Sequence, residues 1–355
     1  MNEPLLPGAT IGILGGGQLG RMLSVAASRL GFKTHIFEPG AEPPAGQVAD
    51  RTTTASYEDA AALTEFAQNV DLVTYEFENI PTSALDIIEK TATIRPGREA
   101  LRVSQDRLTE KTFLQDLGLK VAPFADVTDR DGLEKAVQIV GTPAILKTRR
   151  FGYDGKGQAR LKTSADTPSA WAVIADQPAV LEGFVEFTHE VSVIAARSAQ
   201  GDVACYDPGE NVHRNGILHT TTVPARLNAS MRTDAVLIAA NILNALDYVG
   251  VLGVELFVTR DGLIVNEIAP RVHNSGHWTQ NGCAVDQFEQ HIRAIAGWSL
   301  GNGSRYADVT MENLIGEDVD KIPKLVQEAN CAVHLYGKSD TKPGRKMGHV
   351  NRIIE

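Results

Sequence analysis

The chain has 355 residues, 43% hydrophobic and 22% charged, a globular composition that excludes disordered, collagen-like and coiled-coil classes and implies about two or three domains. Lys and Arg number 34 against 44 Asp and Glu, so the net charge of −10 has the wrong sign for broad attachment to nucleic acid or anionic lipid. Three widely spaced cysteines, Cys205, Cys283 and Cys331, form neither a C-x-x-C pair nor a disulfide framework; with no basic leader and no apolar run of spanning length, a cytoplasmic, untargeted chain is expected.

An apolar run from Ala9 to Leu14 predicts a strand, Gly15-Gly16-Gly17 a turn, and the pattern to Leu30 a helix, followed by a strand over Thr34 to Phe37. Helical patterns over Glu58 to Gln68 and Ser83 to Lys90 flank an extended Leu72 to Tyr75, so this region reads as α/β with a mainly parallel sheet. Beyond Arg95-Pro96-Gly97 the pattern becomes α+β. Ser104 is expected to cap a helix to Leu117, with strands near Pro123 to Val127 and Pro143 to Thr148 around a helix over Leu133 to Val140. Short β-rich segments follow from Val180 to Val223, then a helix over about Ala229 to Asp247, a hairpin over Val251 to Ile268, and a β-rich unit from Tyr306.

Gly15-x-Gly17-x-x-Gly20 between strand and helix, with Glu38 ending the next strand, matches the dinucleotide fingerprint, in which helix N–H groups meet a pyrophosphate and a carboxylate meets ribose. The same glycines also serve a tight turn with close strand–helix packing, leaving Gln18 to meet another anion.

In the middle of the chain, Phe151-Gly152-Tyr153-Asp154-Gly155-Lys156-Gly157-Gln158 joins two strands and carries backbone N–H groups and a cation that can close over phosphates. It is not a Walker A loop, because Gly157 follows Lys156 where Ser or Thr is required. Lys147, in an apolar strand just upstream, needs an anionic partner if buried. Leu181-Glu182-Gly183-Phe184-Val185-Glu186 reads as a polar connector able to offer backbone groups to adenine, with Glu190 eight positions after Glu182. In the hairpin, a three-residue loop Arg260-Asp261-Gly262 pairs Thr259 with Leu263 and thereby Glu255 with Glu267. Opposed carboxylates amid apolar residues call for a cation, and Mg²⁺, which takes few carboxylates plus phosphate oxygens, suits. Arg271-Val272-His273-Asn274 follows at once, a guanidinium, imidazole and amide able to hold a small oxyanion. From Lys338 to His349 the acidic balance inverts, with Lys338, Lys342, Arg345 and Lys346 against Asp340, which suits a monophosphate.

Together these stretches resemble the ATP-grasp superfamily: Gln105-Asp106-Arg107 on a helix, a strand lysine at 147, the Gly-rich loop, the Glu182 connector and the Glu255 and Asn266-Glu267 hairpin. Within it, Gly12 to Gly20, Tyr75 to Pro81, Asn266 to His277 and Tyr336-Gly337-Lys338 with Pro343 to His349 are similar to the N5-carboxyaminoimidazole ribonucleotide synthetase family. The resemblance implies a Rossmann-like preATP-grasp domain (1–100), an ATP-grasp domain (101–300, subdomains about 101–180 and 181–300) and a small β-rich C-terminal domain (301–355). It implies ATP binding by Arg107, Lys147, Gly152 to Gln158, Glu182 to Val185, Glu190, His213, Asn266 and Glu267, with Mg²⁺ on Glu255 and Glu267. The ribonucleotide substrate would meet Gln18, Leu19, Glu78, Asn79, Tyr153, Asp154, Arg271, Lys338 and Arg345, so that the N-terminal glycines serve it and not NAD.

The implied reaction starts with bicarbonate, held near Arg271, His273 and Asn274, attacking ATP to give carboxyphosphate. The amine of 5-aminoimidazole ribonucleotide then captures CO₂, with Asp154 as the expected base. Similar enzymes are homodimers, and a stand-alone ligase with small-molecule partners is expected. Glycinamide ribonucleotide transformylase and biotin carboxylase share the ATP half but differ around Arg271 and in the last third; an NAD-dependent oxidoreductase rests on the N-terminal glycines alone. A non-catalytic nucleotide-binding regulator lacks a reason to carry Lys147, Glu255 and Glu267 together.

Overall fold

The structure is a computed structural model that describes residues 3–152, 157–175 and 177–354. Strands β1 (Thr10–Leu14), β2 (Lys33–Phe37), β3 (Arg51–Thr53) and β4 (Leu72–Tyr75) form a fully parallel sheet in the order β3-β2-β1-β4. Parallel strands are covered on both faces, hence the near-continuous burial of Ile11 to Leu14 and Leu72 to Tyr75. The helix Gln18–Arg29 buries Leu19, Met22, Leu23, Ala26 and Ala27, one stripe at helical spacing.

A second, antiparallel sheet holds β5 (Phe124–Val127), β6 (Ala144–Thr148), β7 (Gln158–Leu161) and β8 (Ala179–Gly183) in the order β5-β8-β6-β7. Its core is built from Val127, Leu133, Leu146, Leu161 and Leu181. The Gly-rich segment joins β6 to β7. Gly157 sits at φ +68, and a Cβ there would fall 2.6 Å from the Thr148 hydroxyl, so glycine is required where the hairpin closes. The expected Ser104 cap is corrected: Ser104 ends one helix, Arg98–Ser104, and Asp106 caps the next, Arg107–Asp116, accepting from the N–H groups of Leu108 and Thr109.

The third sheet has nine strands: β9 (His189–Arg197), β10 (Val203–Cys205), β11 (Gly209–Arg214), β12 (Ile217–Val223), β13 (Gly250–Thr259), β14 (Gly262–Ala269), β15 (Asp308–Ile315), β16 (Cys331–Leu335) and β17 (Lys346–Ile354). Their order is β14-β13-β9-β11-β12-β15-β17-β16, with β10 beside β9. The C-terminal strands thus extend this sheet through the β12–β15 ladder. One core cluster spans the first and third sheets, joining Ile11 and Leu23 to Ile194, Trp278 and Ile292 and on to Met311 and Tyr336, while the β5–β8 sheet keeps a core of its own.

His291, on the helix Gln287–Ile295, stitches β4 to β13: Nδ1 accepts from the Val251 N–H at 3.1 Å, and Nε2 lies 2.8 Å from the Thr74 hydroxyl. Burial holds this imidazole neutral and pushes its pKa down to about 3. The unfolded chain takes up this proton near pH 6.5 while the folded one does not, so the residue's contribution is complete above pH 6.5 and is lost as pH falls toward 3. His291→Gln is therefore expected to cost less stability at pH 5.0 than at pH 7.5, by ~2 kcal/mol, measured as the difference in guanidinium unfolding free energy from the native chain. An equal cost at both pH values would refute this.

Candidate functional site

At the N-terminal turn, the groups that would hold a pyrophosphate are occupied by the protein itself. The buried Glu76 carboxylate accepts from the N–H of Gly17 at 2.6 Å and of Gly20 at 2.9 Å, and Glu38 accepts from Gly16 at 2.8 Å. A Cβ on Gly17 would lie 2.5 Å from Glu76 Oε1, so this glycine makes room for a carboxylate reaching in from the end of β4. The helix N-terminus is thus already paired with an anion, which excludes the dinucleotide reading on charge and on space.

Beside this turn lies a cleft of about 1000 Å³. On one wall, Lys147 of β6 lines it and meets Glu182 of β8 at 3.0 Å, while Lys111 of the helix Arg107–Asp116 reaches the same carboxylate oxygen at 3.2 Å. Glu182 is 4% exposed and lies within a strand, correcting the expected polar connector. Burial alone would raise its carboxyl, but Lys147 and Lys111 hold it below the usual range; burial draws the Lys147 ammonium down. Two cations against one carboxylate leave a positive wall, the condition for a polyphosphate. Gly152 and Gln158 line the cleft, whereas Gly157, Gly183, Phe184 and Val185 do not; the Arg160 guanidinium sits 4.5 Å over the Phe184 ring. Tyr153, Asp154, Gly155 and Lys156 lie outside the described residues.

The hairpin supplies the opposite charge. Its loop has two residues, Arg260-Asp261, with Thr259 paired to Gly262, which corrects the three-residue loop. A β-bulge at Asn266 then shifts the register by one, so that Glu255 faces Glu267 as expected. Burial and the neighbouring Glu267 push the Glu255 carboxyl up, while Arg107, 2.9 Å from Glu267, and Lys147 hold Glu267 down despite burial. Two part-buried carboxylates in register, one pushed toward protonation in part by the other, are the arrangement a hard divalent cation relieves. Glu190 and His213, 3.1 Å apart, complete a group with Glu255 whose ligand atoms lie within 4.8 Å of one another. The adjoining Glu110 is pushed up to about 8 by burial and by Glu267.

The far wall carries the remaining expected residues. Gln18, Leu19, Glu78, Asn79, Arg271, Asn274, Lys338 and Arg345 all line the same cleft. Arg271 grips Glu78 through Nε and, at 3.2 Å, through Nη2. His273 spends Nδ1 on the Ser275 hydroxyl, 2.8 Å away, and places Nε2 3.3 Å from Glu255, with burial pushing its pKa down to about 3; it is a neutral imidazole. Both polar atoms of the Asn274 amide are buried without a partner among the described residues. Lys338 donates to Gln18 at 2.7 Å, tying the C-terminal tail to the N-terminal turn, and burial draws its ammonium down to about 8.

Sequence reasoning missed Glu76, Glu110 and Lys111. Glu110 and Lys111 stand three and four positions after Arg107, so the helical period alone places them on its face.

Residues 8–105 match the ribonucleotide synthetase preATP-grasp domain, residues 112–288 the ATP-grasp domain, and residues 310–355 the phosphoribosylaminoimidazole carboxylase C-terminal domain. The chain is 55% identical over 352 residues to the N5-carboxyaminoimidazole ribonucleotide synthase of Brucella melitensis, covering 98% of this chain and 97% of the relative. The N5-carboxyaminoimidazole synthetase of Staphylococcus aureus complexed with ADP superposes with a TM-score of 0.95 at 38% identity, over 99% of this chain and 95% of that one. The synthase of Aspergillus clavatus in complex with ADP and 5-aminoimidazole ribonucleotide does so with a TM-score of 0.92 at 31% identity, over 98% and 94%. By sequence along its whole length, and by fold, the chain belongs to the N5-carboxyaminoimidazole ribonucleotide synthase family of ATP-grasp enzymes.

Proposed function

We propose that this chain is an ATP-dependent carbon–nitrogen ligase that carboxylates 5-aminoimidazole ribonucleotide to N5-carboxyaminoimidazole ribonucleotide in purine biosynthesis. The observation that supports the reading is one cleft in which Lys147, with Lys111 behind it, the part-buried Glu255–Glu267 pair and a Gln18–Lys338 wall meet. Arg107 and Lys147 steady the phosphates of ATP, with His213 and Glu190 beside them. Glu255 and Glu267 would hold Mg²⁺, which when bound neutralises charge on the transferring phosphoryl group. Arg271 and the unpartnered amide of Asn274 hold bicarbonate, and His273 orients Glu255.

A bicarbonate oxygen forms a bond to the γ-phosphorus as the bond to ADP breaks; carboxyphosphate then splits its C–O bond into CO₂ and phosphate. The amine nitrogen of the acceptor bonds to CO₂ and gives up a proton, for which Asp154 is the assigned base. Gln18, Leu19, Glu78, Asn79, Lys338 and Arg345 hold the ribonucleotide. Exclusion of water preserves carboxyphosphate.

We place the enzyme in the cytoplasm as a homodimer without nucleic-acid or membrane partners. The net charge of −10 disfavours broad attachment to nucleic acid or anionic membranes, and no helix among the described residues is long and apolar enough to cross a membrane.

Phosphate release from Mg-ATP and bicarbonate is expected to rise strongly with 5-aminoimidazole ribonucleotide, and not with glycinamide ribonucleotide plus formate. No stimulation by the imidazole nucleotide, together with micromolar NAD binding, would sink the reading.

A further inference from the structure

Strand β14 is the outermost strand of the nine-stranded sheet, and its outer edge has no ladder partner along Asn266 to Ile268 among the described residues. An edge strand must place its outward N–H and C=O groups somewhere, and a bulge adds groups that a regular neighbour cannot match. Outward N–H groups in a regular strand recur every second residue. Here they fall at Val265, which donates to the Lys120 carbonyl at 2.8 Å, and at Ile268, three positions on, because the bulge at Asn266 intervenes.

The groups that meet this irregular edge come from one helix face. In the helix Arg107–Asp116, residues 107, 110 and 111 lie on one side. Arg107 grips the Glu267 carboxylate at 2.9 Å, Glu110 Oε1 accepts from the Ile268 N–H at 2.6 Å, and Lys111 Nζ donates to the Asn266 carbonyl at 3.4 Å. Glu110 is 3% and Lys111 1% exposed, so both ionisable groups are held in the interior at a cost that only specific hydrogen bonding offsets.

The register shows what the bulge does. Had the pairing near the turn continued unbroken, Glu255 would face Asn266, and Glu267 would face Val254 on the sheet's other side, in the apolar core. One extra residue, retained, turns Glu267 back toward Glu255.

We propose that Glu110 and Lys111 are positioning residues that hold the bulge at Asn266, and through it the Glu255–Glu267 pair, in the metal-binding register. The proposal rests on the metal reading of that pair. Arg107 acts on the carboxylate itself; Glu110 and Lys111 act on the backbone on either side of it.

The test counts Mn²⁺ bound to the full chain with ADP by electron paramagnetic resonance, with hydrogen exchange followed in the peptide spanning residues 264–270. Lys111→Met and Glu110→Ala are expected to weaken Mn²⁺ binding by ~10- to 100-fold and to speed exchange at Ile268. Glu110→Gln is expected to restore both, because an amide carbonyl still accepts from the Ile268 N–H. Native Mn²⁺ affinity in Lys111→Met and Glu110→Ala, while Glu267→Gln loses it, overturns the proposal; so does a Glu110→Gln variant as weak as Glu110→Ala. Where a variant does not fold, the native chain decides: slow exchange at Ile268 supports the clamp, and exchange at the rate of a free amide overturns it. Neither readout needs the acceptor, so missing acceptor-stimulated turnover in the native chain would reject the proposed reaction without touching this one.

Discussion

Glu267→Gln is expected to lower acceptor-dependent phosphate release by ~10³-fold, about 4 kcal/mol of transition-state stabilisation. Glutamine keeps the shape but removes the charge that Arg107 and Lys147 hold ionised, and a neutral amide is a poor ligand for a hard cation. The partner variant separates chemistry from folding. Glu255 is already pushed toward its neutral form by burial and by Glu267, so Glu255→Gln relieves a like-charge contact. Its turnover is expected to fall ~10²- to 10³-fold while the metal-free protein gains about 1 kcal/mol in thermal unfolding. Steady-state kinetics beside calorimetry check both. A Glu267→Gln enzyme within tenfold of native turnover would remove the carboxylate pair from the mechanism.

Arg271→Met is expected to reduce kcat/KM for bicarbonate by ~10²- to 10³-fold and to destabilise the fold by ~2 kcal/mol. Methionine retains the apolar stem, but the guanidinium is the charged group of the proposed oxyanion pocket, since the neutral His273 is committed to Glu255 and Ser275. Its loss also strands the part-buried Glu78 carboxylate, whose two oxygens meet Arg271 through Nε and Nη2. Arg271→Lys is expected to recover only part of either quantity, because an ammonium cannot match the planar fork. Lysine equal to arginine in kinetics would mean that charge alone suffices.

The strands and most helices were legible in the hydrophobic period, as was the need of Lys147 for an anion, met by Glu182. The carboxylate pair was legible for an instructive reason. The expected three-residue loop and the observed two-residue loop differ by one position, and the bulge at Asn266 restores that position before Glu255 is reached. Two departures from a simple hairpin cancel at the site. What stayed hidden has long-range partners: Glu76 reaches back 59 residues to Gly17, and Lys111 forward 155 residues to Asn266. Neither contact leaves a local periodic trace, because each depends on how separate elements dock. The Gly-Gly-Gly turn shows the converse. Its spacing fits two fillings of one shape, and only the tertiary structure reveals that the occupant is a side chain of the same chain.

Three family models match this chain in three successive stretches, as if three cassettes had been strung together, yet the folded molecule has no seam where the last could be lifted out. Strand β15 is laddered to β12, and Met311 and Tyr336 share a core with Ile11 and Trp278. Exchanging the tail for that of another protein would mean matching both a strand register and a set of core volumes. The last stretch is therefore bound to the rest of the fold by backbone pairing and by packing at once, and a change in it is constrained by both.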